Sequence, residues 1–370
     1  MRKRIIWMAL LFISLILIAG CGGSKDEGTK NAPPAAPEKS SPAPEKSSSS
    51  GMDPAIAEIY EKAKKEGKVI WWSPDDDEVA PIKKAFEAKY PGIVLEHFEL
   101  KPSNAIQRII TEANAGQTNV DSFDLYMADV PLLQERDLVR QVEWAKIFGM
   151  DSSQVYFDNS ALSMWHISYP IVYNTSLVKP EDVPKTWEDL LDPKWKGKIV
   201  VESRGLPFPR LAYKWGKEKA LDYVEKLMKQ NPIITKGGTP TSQAVANGQA
   251  AVAVGTYAYK AEALKKKGAP VEWVKTAEVP CINHAAGVLK NAQHPNAAIL
   301  LTHFVSSEEG LLARAAGGGG GRLEGEGVNA TITGQLMEKN NVELVIQDDK
   351  HLEMEAEVGE EVAKIINSTK

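Results

Sequence analysis

Beyond residue 52 the chain alternates between short apolar runs and longer amphipathic stretches, each closed by a turn residue. Asp53-Pro54 sets an N-cap before a proline at the first helical position, and Gly67 stops that helix. Lys68–Ser73 reads as a short apolar strand. Residues 80–89 place Ile82, Ala85, Phe86 and Tyr90 on one face, which predicts a helix ended by Pro91-Gly92. A strand follows at 93–98. Ser103 is expected to cap a helix through Ile106, Ile109, Ile110 and Ala113 that stops at Gly116. A third strand at 123–127 leads into Asp129 and a short helix. The pattern then repeats: strand 198–201, helix 208–229, helix 241–246, strand 250–255, helix 257–267 and strand 271–274. Residues 295–304 and the C-terminal stretch carry helical spacing.

Strand-helix alternation of this kind implies an α/β fold with mainly parallel sheets covered on both faces. About 318 residues exceed a usual single core, so two lobes are expected. The first takes residues 53–165 and the second 166–275, and 276–370 return to the first and add C-terminal helices. The chain crosses near residues 165–174 and comes back near 276–286. In open parallel sheets ligands sit off the carboxyl ends of strands, where helix N-termini present free N–H groups. Two facing lobes would put those ends around one cleft.

The first fifty residues change the setting. Arg2, Lys3 and Arg4 precede a short apolar run, then small residues and Cys21. This is the pattern of a secretory signal over residues 1–20, and the cysteine makes it resemble a bacterial lipoprotein signal with acyl chains on Cys21. Residues 21–52 are rich in Gly, Ser, Pro, Lys, Glu and Ala, and the hexamer APEKSS occurs twice. Such a segment cannot bury enough apolar surface to order itself, so it is read as a tether with a reach of about 30 Å. The formal charge of −5 becomes −8 once the three basic residues of the leader are removed. An acidic body argues against nucleic acid as a partner. With Cys21 lipidated, Cys281 has no intramolecular partner.

Several segments carry a family likeness. VIWWSPDDDEVAPIKKAFEAKYPGIVLE, RIITEANAG and DSFDLYMAD resemble the first lobe of extracellular solute-binding proteins of ABC importers. YPIVYNTSLVKPEDVPKTWEDLLDPKWKGKIV resembles the interlobe strand and second-lobe entry of the ferric-iron/aminoethylphosphonate/thiamine/polyamine branch. NGQAAVAVG, KKKGAPVEWV and LKNAQHPNAAILLTHFVSSEEG fit the same branch. The resemblance implies the two-lobed type II periplasmic-binding-protein (Venus-flytrap) fold with two crossover strands. It implies a receptor outside the cytoplasm, lipid-anchored to the cell membrane, that delivers a small polar solute to an ABC permease and its ATPase. It implies no cofactor and no enzymatic activity.

The resemblance also maps ligand contacts onto loops. The loop after the first strand supplies Ser73, Pro74, Asp75 and Asp76. The start of the next helix supplies Ser103 and Asn104, and the loop after the third strand supplies Asp129. In the second lobe Arg204 follows a strand and suits a carboxylate, phosphonate or phosphate. Gly238, Thr239, Thr241 and Ser242 open a helix and offer N–H groups and hydroxyls to an anion. Tyr257 stands where iron-binding members carry the first of two adjacent tyrosines, but here the second falls at Tyr259. Two residues apart on a helix start, these rings are expected to diverge, which argues against Fe(III) chelation through Tyr257. His284, near the return crossing, completes the set. Five glycines at 317–321 lack the lysine of a phosphate loop and read as a mobile loop, which the resemblance places with Arg322 near the cleft mouth.

Ligand charge is contested. Arg204, Ser103 and the helix start at Gly238 point to an anion, whereas Trp72 with Asp75 and Asp76 points to an ammonium group. A zwitterion satisfies both, and ferric iron or a polyamine stay open as alternatives. Two other classes compete: a ligand-sensing subunit for a membrane sensor kinase, and a surface hydrolase using Asp75, Asp76 and Asp77 with a divalent cation. The hydrolase needs carboxylates converging from different elements, and sequence neighbours diverge.

Overall fold

A computed structural model describes residues 52–74, 76–275, 278–319 and 342–368. The leader, Cys21 and the tether lie outside the described residues, as do Asp75 and Arg322. In chain order the strands are β1 (Lys68–Ser73), β2 (Val94–Glu99), β3 (Ser122–Tyr126), β4 (Val155–Tyr156), β5 (Ala161–Ser168) and β6 (Val172–Asn174). They continue with β7 (Ile199–Glu202), β8 (Ile233–Thr235), β9 (Val252–Val254), β10 (Val271–Trp273), β11 (Glu278–Val288) and β12 (Glu343–Ile346).

These strands form two sheets. One runs β2-β1-β3-β11-β5-β4 with β12 paired to β11, and the other runs β10-β6-β9-β7-β8. β1 is parallel to β2 and β3, and β7 is parallel to β8 and β9, as strand-helix-strand connections require. The chain leaves the first sheet after β5 and re-enters it at β11, and these two long strands pair antiparallel. The two-lobed type II fold follows.

Helices cover both faces of the first sheet. α1 (Pro54–Glu66) and α2 (Asp76–Lys89) pack with α10 (Pro295–Ser306) and α11 (Glu308–Ala316) on one face. α3 (Pro102–Asn114) and α4 (Val130–Gln134) lie on the other, where Trp72, Ile106, Phe123 and Leu133 share a core, and the short α5 (Trp144–Phe148) follows them. In the second lobe α6 (Pro207–Trp215) and α7 (Lys217–Met228) cover one face, and α8 (Gly238–Ala246) and α9 (Ala258–Lys266) the other. The continuous helix expected over 208–229 is broken at Gly216, whose φ of 79° is left-handed and ends α6.

The C-terminal helix (Leu352–Ser368) does not stay with the first sheet. It crosses to the second lobe, where Val358, Val362 and Ile366 enter the core formed by Phe208, Leu211 and Val224. Arg210 of α6 forms a buried ion pair with its Glu355, and the Tyr213 hydroxyl donates to the same carboxylate at 2.5 Å.

Candidate ligand cleft between the lobes

A cleft of about 690 Å³ opens between the two sheets. The first lobe lines it with Pro74, Glu78, Ser103, Tyr126, Trp165 and His284, and the second with Glu202, Arg204, Gly238, Thr239, Tyr257 and Tyr259. Most stand at or just after a strand end or in the first turn of a helix, where the topology leaves N–H groups unused, whereas Trp165 and His284 reach the cleft from within the paired strands β5 and β11.

Two helix starts meet across the cleft. α3 begins at Pro102 after Lys101, whose extended backbone occupies the cap position without a side-chain cap. Ser103 is therefore the second helical residue and not the cap that was expected, because Pro102 claims the first position. α8 begins at Gly238, again without a side-chain cap. Among the described residues no acceptor meets the N–H groups of Ser103, Gly238 or Thr239. Lys101 and Lys236 also line the cleft, and neither forms an ion pair among the described residues.

Arg204 projects from the turn after β7, and its Nε donates to Glu202 at 2.9 Å. Burial works against the guanidinium charge, but Glu202 outweighs it and the net displacement of its pKa is upward. Glu202 also accepts the N–H of Gly237 at 3.0 Å, which ties the Arg204 turn to the start of α8. Burial raises the Tyr126 phenol, and Arg204 beside it partly offsets the effect. Asp129 is pushed up to about 6 by burial.

Behind the first-lobe wall lies a buried charge network. Arg314 of α11 is 2% exposed, sits 2.8 Å from Glu78 and 3.6 Å from Asp124, and lies over the Trp165 ring at 3.9 Å. Asp124 also meets the Nδ1 of His284 at 2.6 Å, and the Nε2 of this buried imidazole has no hydrogen-bond partner. Gly317 and Gly319 pack against the start of α2: a Cβ at Gly319 would stand 2.8 Å from a Glu78 carboxylate oxygen. The described part of the glycine run therefore sits next to a cleft-lining residue.

Several expected contacts lie elsewhere. Ser73 is buried, with its hydroxyl 3.0 Å from the Nε2 of His97. Asp76 turns away to the other nitrogen of His97 at 2.8 Å. Asn104 is exposed on α3 outside the cleft lining, and Asp129 stands beside Tyr126 without lining it. The Thr241 hydroxyl bonds Thr235 at 2.7 Å and the Gly237 carbonyl at 2.9 Å. Ser242 donates to the Gly238 carbonyl at 2.8 Å. Both hydroxyls are spent on the first turn of α8 and on the neighbouring Thr235 and Thr256, and Gly238, Thr239 and Pro240 form its cleft surface instead. Trp72 is a core residue with Arg108 over its ring at 4.4 Å, so the ammonium pocket read from Trp72 and Asp76 does not exist as such. The carboxylates of α2 diverge, with Asp76 on His97 and Glu78 on Arg314.

The tyrosines also correct an expectation. Tyr257 and Tyr259 do not diverge: their rings stack at 5.7 Å with an 11° interplanar angle. Tyr257 occupies the cap position with extended backbone (φ −99°, ψ 134°), so helical periodicity does not govern it. Its ring lies against Gly238, where a Cβ would stand 2.7 Å from Cε2. Tyr126, Trp165, Asp124 and Arg314 were missed in the sequence. Tyr126 ends a strand at its carboxyl end, which is a usable signal. Arg314 falls three residues after Leu311 on the buried face of a helix, where a cation needs a partner.

This geometry defines a two-lobed binding protein with its ligand cleft at the strand ends. The sequence profile of the bacterial extracellular solute-binding proteins matches residues 71–311, and the chain belongs to that family. Its folded body is accordingly extracytoplasmic. A curated relative, an uncharacterized protein of Haemophilus influenzae, is 33% identical over 142 residues, covering 35% of this chain and 39% of that protein. The chain thus aligns with about two fifths of that relative. Among solved structures, an ABC transporter substrate-binding protein from Bradyrhizobium japonicum superposes with a TM-score of 0.66 at 15% identity, covering 82% of this chain and 99% of that one. A Trichodesmium protein in complex with iron and citrate gives 0.64 at 18%, covering 82% and 99%. The periplasmic binding protein AfuA from Actinobacillus pleuropneumoniae, with fructose-6-phosphate bound, gives 0.59 at 22%, covering 82% and 97%. These likenesses concern the fold. No described helix is long and apolar enough to cross a membrane.

Proposed function

We propose that this protein is the receptor of an ABC importer, lipid-anchored through Cys21, that captures a small anionic solute and delivers it to a membrane permease and its ATPase. The lobes are residues 53–165 with the return from 276, and residues 166–275 joined by the C-terminal helix. One observation carries the ligand class: two uncapped helix starts from opposite lobes face one cleft that also holds Arg204, Lys101 and Lys236. Each helix start acts as about half a positive charge, and an arginine fork suits two oxygens of a phosphate or carboxylate. Tyr126, Trp165, Tyr257 and Tyr259 supply flat apolar faces for the uncharged part of the solute. The AfuA likeness is in keeping with a phosphorylated solute of this size.

The reading is tested by thermal unfolding with inorganic phosphate, fructose 6-phosphate, citrate, ferric citrate and spermidine. A true ligand at about 100 times its Kd adds about 2.7 kcal/mol. Stabilisation by one of the anions, lost in Arg204→Ala, is the expected result. Stabilisation by spermidine alone would overturn the anionic assignment.

A further inference from the structure

The cleft arginine stands on a turn that the C-terminal helix holds from behind. Gly205 follows Arg204 with φ of 63°, a left-handed conformation that favours glycine. A Cβ there would stand 2.8 Å from the Cδ1 of Ile366 and closer still to Val362, both from the C-terminal helix. The helix can seat this closely against the turn only because residue 205 presents a bare backbone. At the end of the same helix the Asn367 side-chain amide donates to the Ser203 carbonyl at 3.5 Å. On its cleft side the turn is fixed by Glu202, which accepts the N–H of Arg204 at 3.1 Å and its Nε at 2.9 Å.

The helix is also tied to the strand that joins the lobes. β12 pairs with the first residues of β11, and the Gln347 side chain accepts the N–H of Asn283 at 3.2 Å. The Gln347 amide donates to Glu355 at 2.7 Å, and Glu355 is held by Arg210 and Tyr213 of α6. A continuous set of buried contacts runs from the crossover strand through the C-terminal helix to the Arg204 turn.

We infer that the C-terminal helix is a positioning element for the ligand, with Val362 and Ile366 setting anion affinity through the turn that presents Arg204. The inference rests on the anion-receptor reading above and adds residues that do not touch the cleft. The test is a double-variant cycle on inorganic phosphate binding, measured by calorimetry on the full chain. Val362→Ala should weaken phosphate about fivefold in the wild-type background and less than about twofold in Arg204→Ala, because contacting groups couple. Ile366→Val is the milder second variant if Val362→Ala folds poorly, with the same pattern expected. Val224→Ala, in the same core but away from the turn, should lower the melting temperature and leave phosphate affinity unchanged. Equal losses from Val362→Ala in both backgrounds, or an affinity loss from Val224→Ala matching its own, would overturn the inference. If wild type does not bind phosphate, the same cycle is run with fructose 6-phosphate or citrate; if it binds none of these, or Arg204→Ala binds the anion as wild type does, the anion reading fails and this inference with it.

Discussion

Arg314→Ala is the sharpest perturbation available behind the first-lobe wall. The guanidinium is 2% exposed, and its carboxylate neighbours Glu78 and Asp124 are 5% and 0% exposed. Deleting the cation strands negative charge on two almost wholly buried carboxylates. Breaking a buried pair by removing one partner costs about 3–5 kcal/mol. The contact with Trp165 at 3.9 Å is desolvated, and such cation–π contacts contribute about 2 kcal/mol. The two terms share one side chain and do not add fully, so a loss of about 4 kcal/mol is expected. That is a large part of a domain stability of about 5–15 kcal/mol.

Urea unfolding read by intrinsic fluorescence measures the loss as a shift in midpoint. The paired variant Arg314→Met with Glu78→Gln should recover at least half of it, because replacing both charges of a buried pair is often neutral. Asp124 still has His284 as a partner there, at 2.6 Å in the unsubstituted protein. A loss under about 1 kcal/mol would put the network among solvent-screened surface pairs and refute the reasoning. So would a paired variant no more stable than Arg314→Ala.

Three further outcomes follow from single sites. Gly238→Ala drives a Cβ into the Tyr257 ring, so overpacking should cost about 1–3 kcal/mol and phosphate affinity should fall with it. Unchanged calorimetric affinity would mean that the ring does not shape the site. Asp129, raised to about 6 by burial, holds its proton more tightly folded than unfolded. Its contribution is present below about pH 4 and lost as pH rises through 6, so Asp129→Asn should match wild type near pH 3.5 and exceed it at pH 8 by on the order of 2–3 kcal/mol. Equal midpoints at pH 8 would contradict this. His303, lowered to about 4 by burial with Lys89 adding to the effect, stacks on Phe148 at 4.1 Å. Its contribution is complete above about pH 6.5 and lost as pH falls towards 4. His303→Phe should therefore flatten the stability profile over that interval by roughly 3 kcal/mol at most, and an unaltered slope between pH 7 and 4.5 would speak against it.

How far the sequence reached depends on the range of the interaction concerned. Strand β1 was legible to the residue, because apolar run and turn residues are both local. The cleft arginine was legible as well, since a polar residue following a strand of a parallel sheet has few places to go. Thr241 and Ser242 were read as cleft groups, yet their hydroxyls bond within the first turn of α8, a competition that sequence does not rank. Tyr257 and Tyr259 were expected to diverge because both were assigned to a helix, and a boundary misplaced by one residue reversed the geometry. Arg314 lies 236 residues from Glu78 and 190 from Asp124, so nothing local announces their meeting.

If the ligand is an anion, as proposed above, the arrangement of charge gives the lobes a reason to move. α3 belongs to the first lobe and α8 to the second, and each turns an uncapped, partly positive end toward the other. Lys101 adds a full charge on one side and Lys236 on the other, whereas Arg204 is already matched by Glu202. Without a ligand, closing the cleft brings like charges together in a shrinking volume of water, which opposes closure. An anion bound between them reverses the sign of that term, and it interacts with both helix starts only when the lobes approach. Its affinity is then higher for the closed state, which is the condition for a ligand to drive the change. Salt should act in the matching sense: screening weakens the repulsion that holds the empty cleft open and the attraction that closes the filled one. Small-angle scattering at low and high ionic strength, with and without phosphate, reads both effects. A radius of gyration for the empty protein that grows with salt would contradict the electrostatic account.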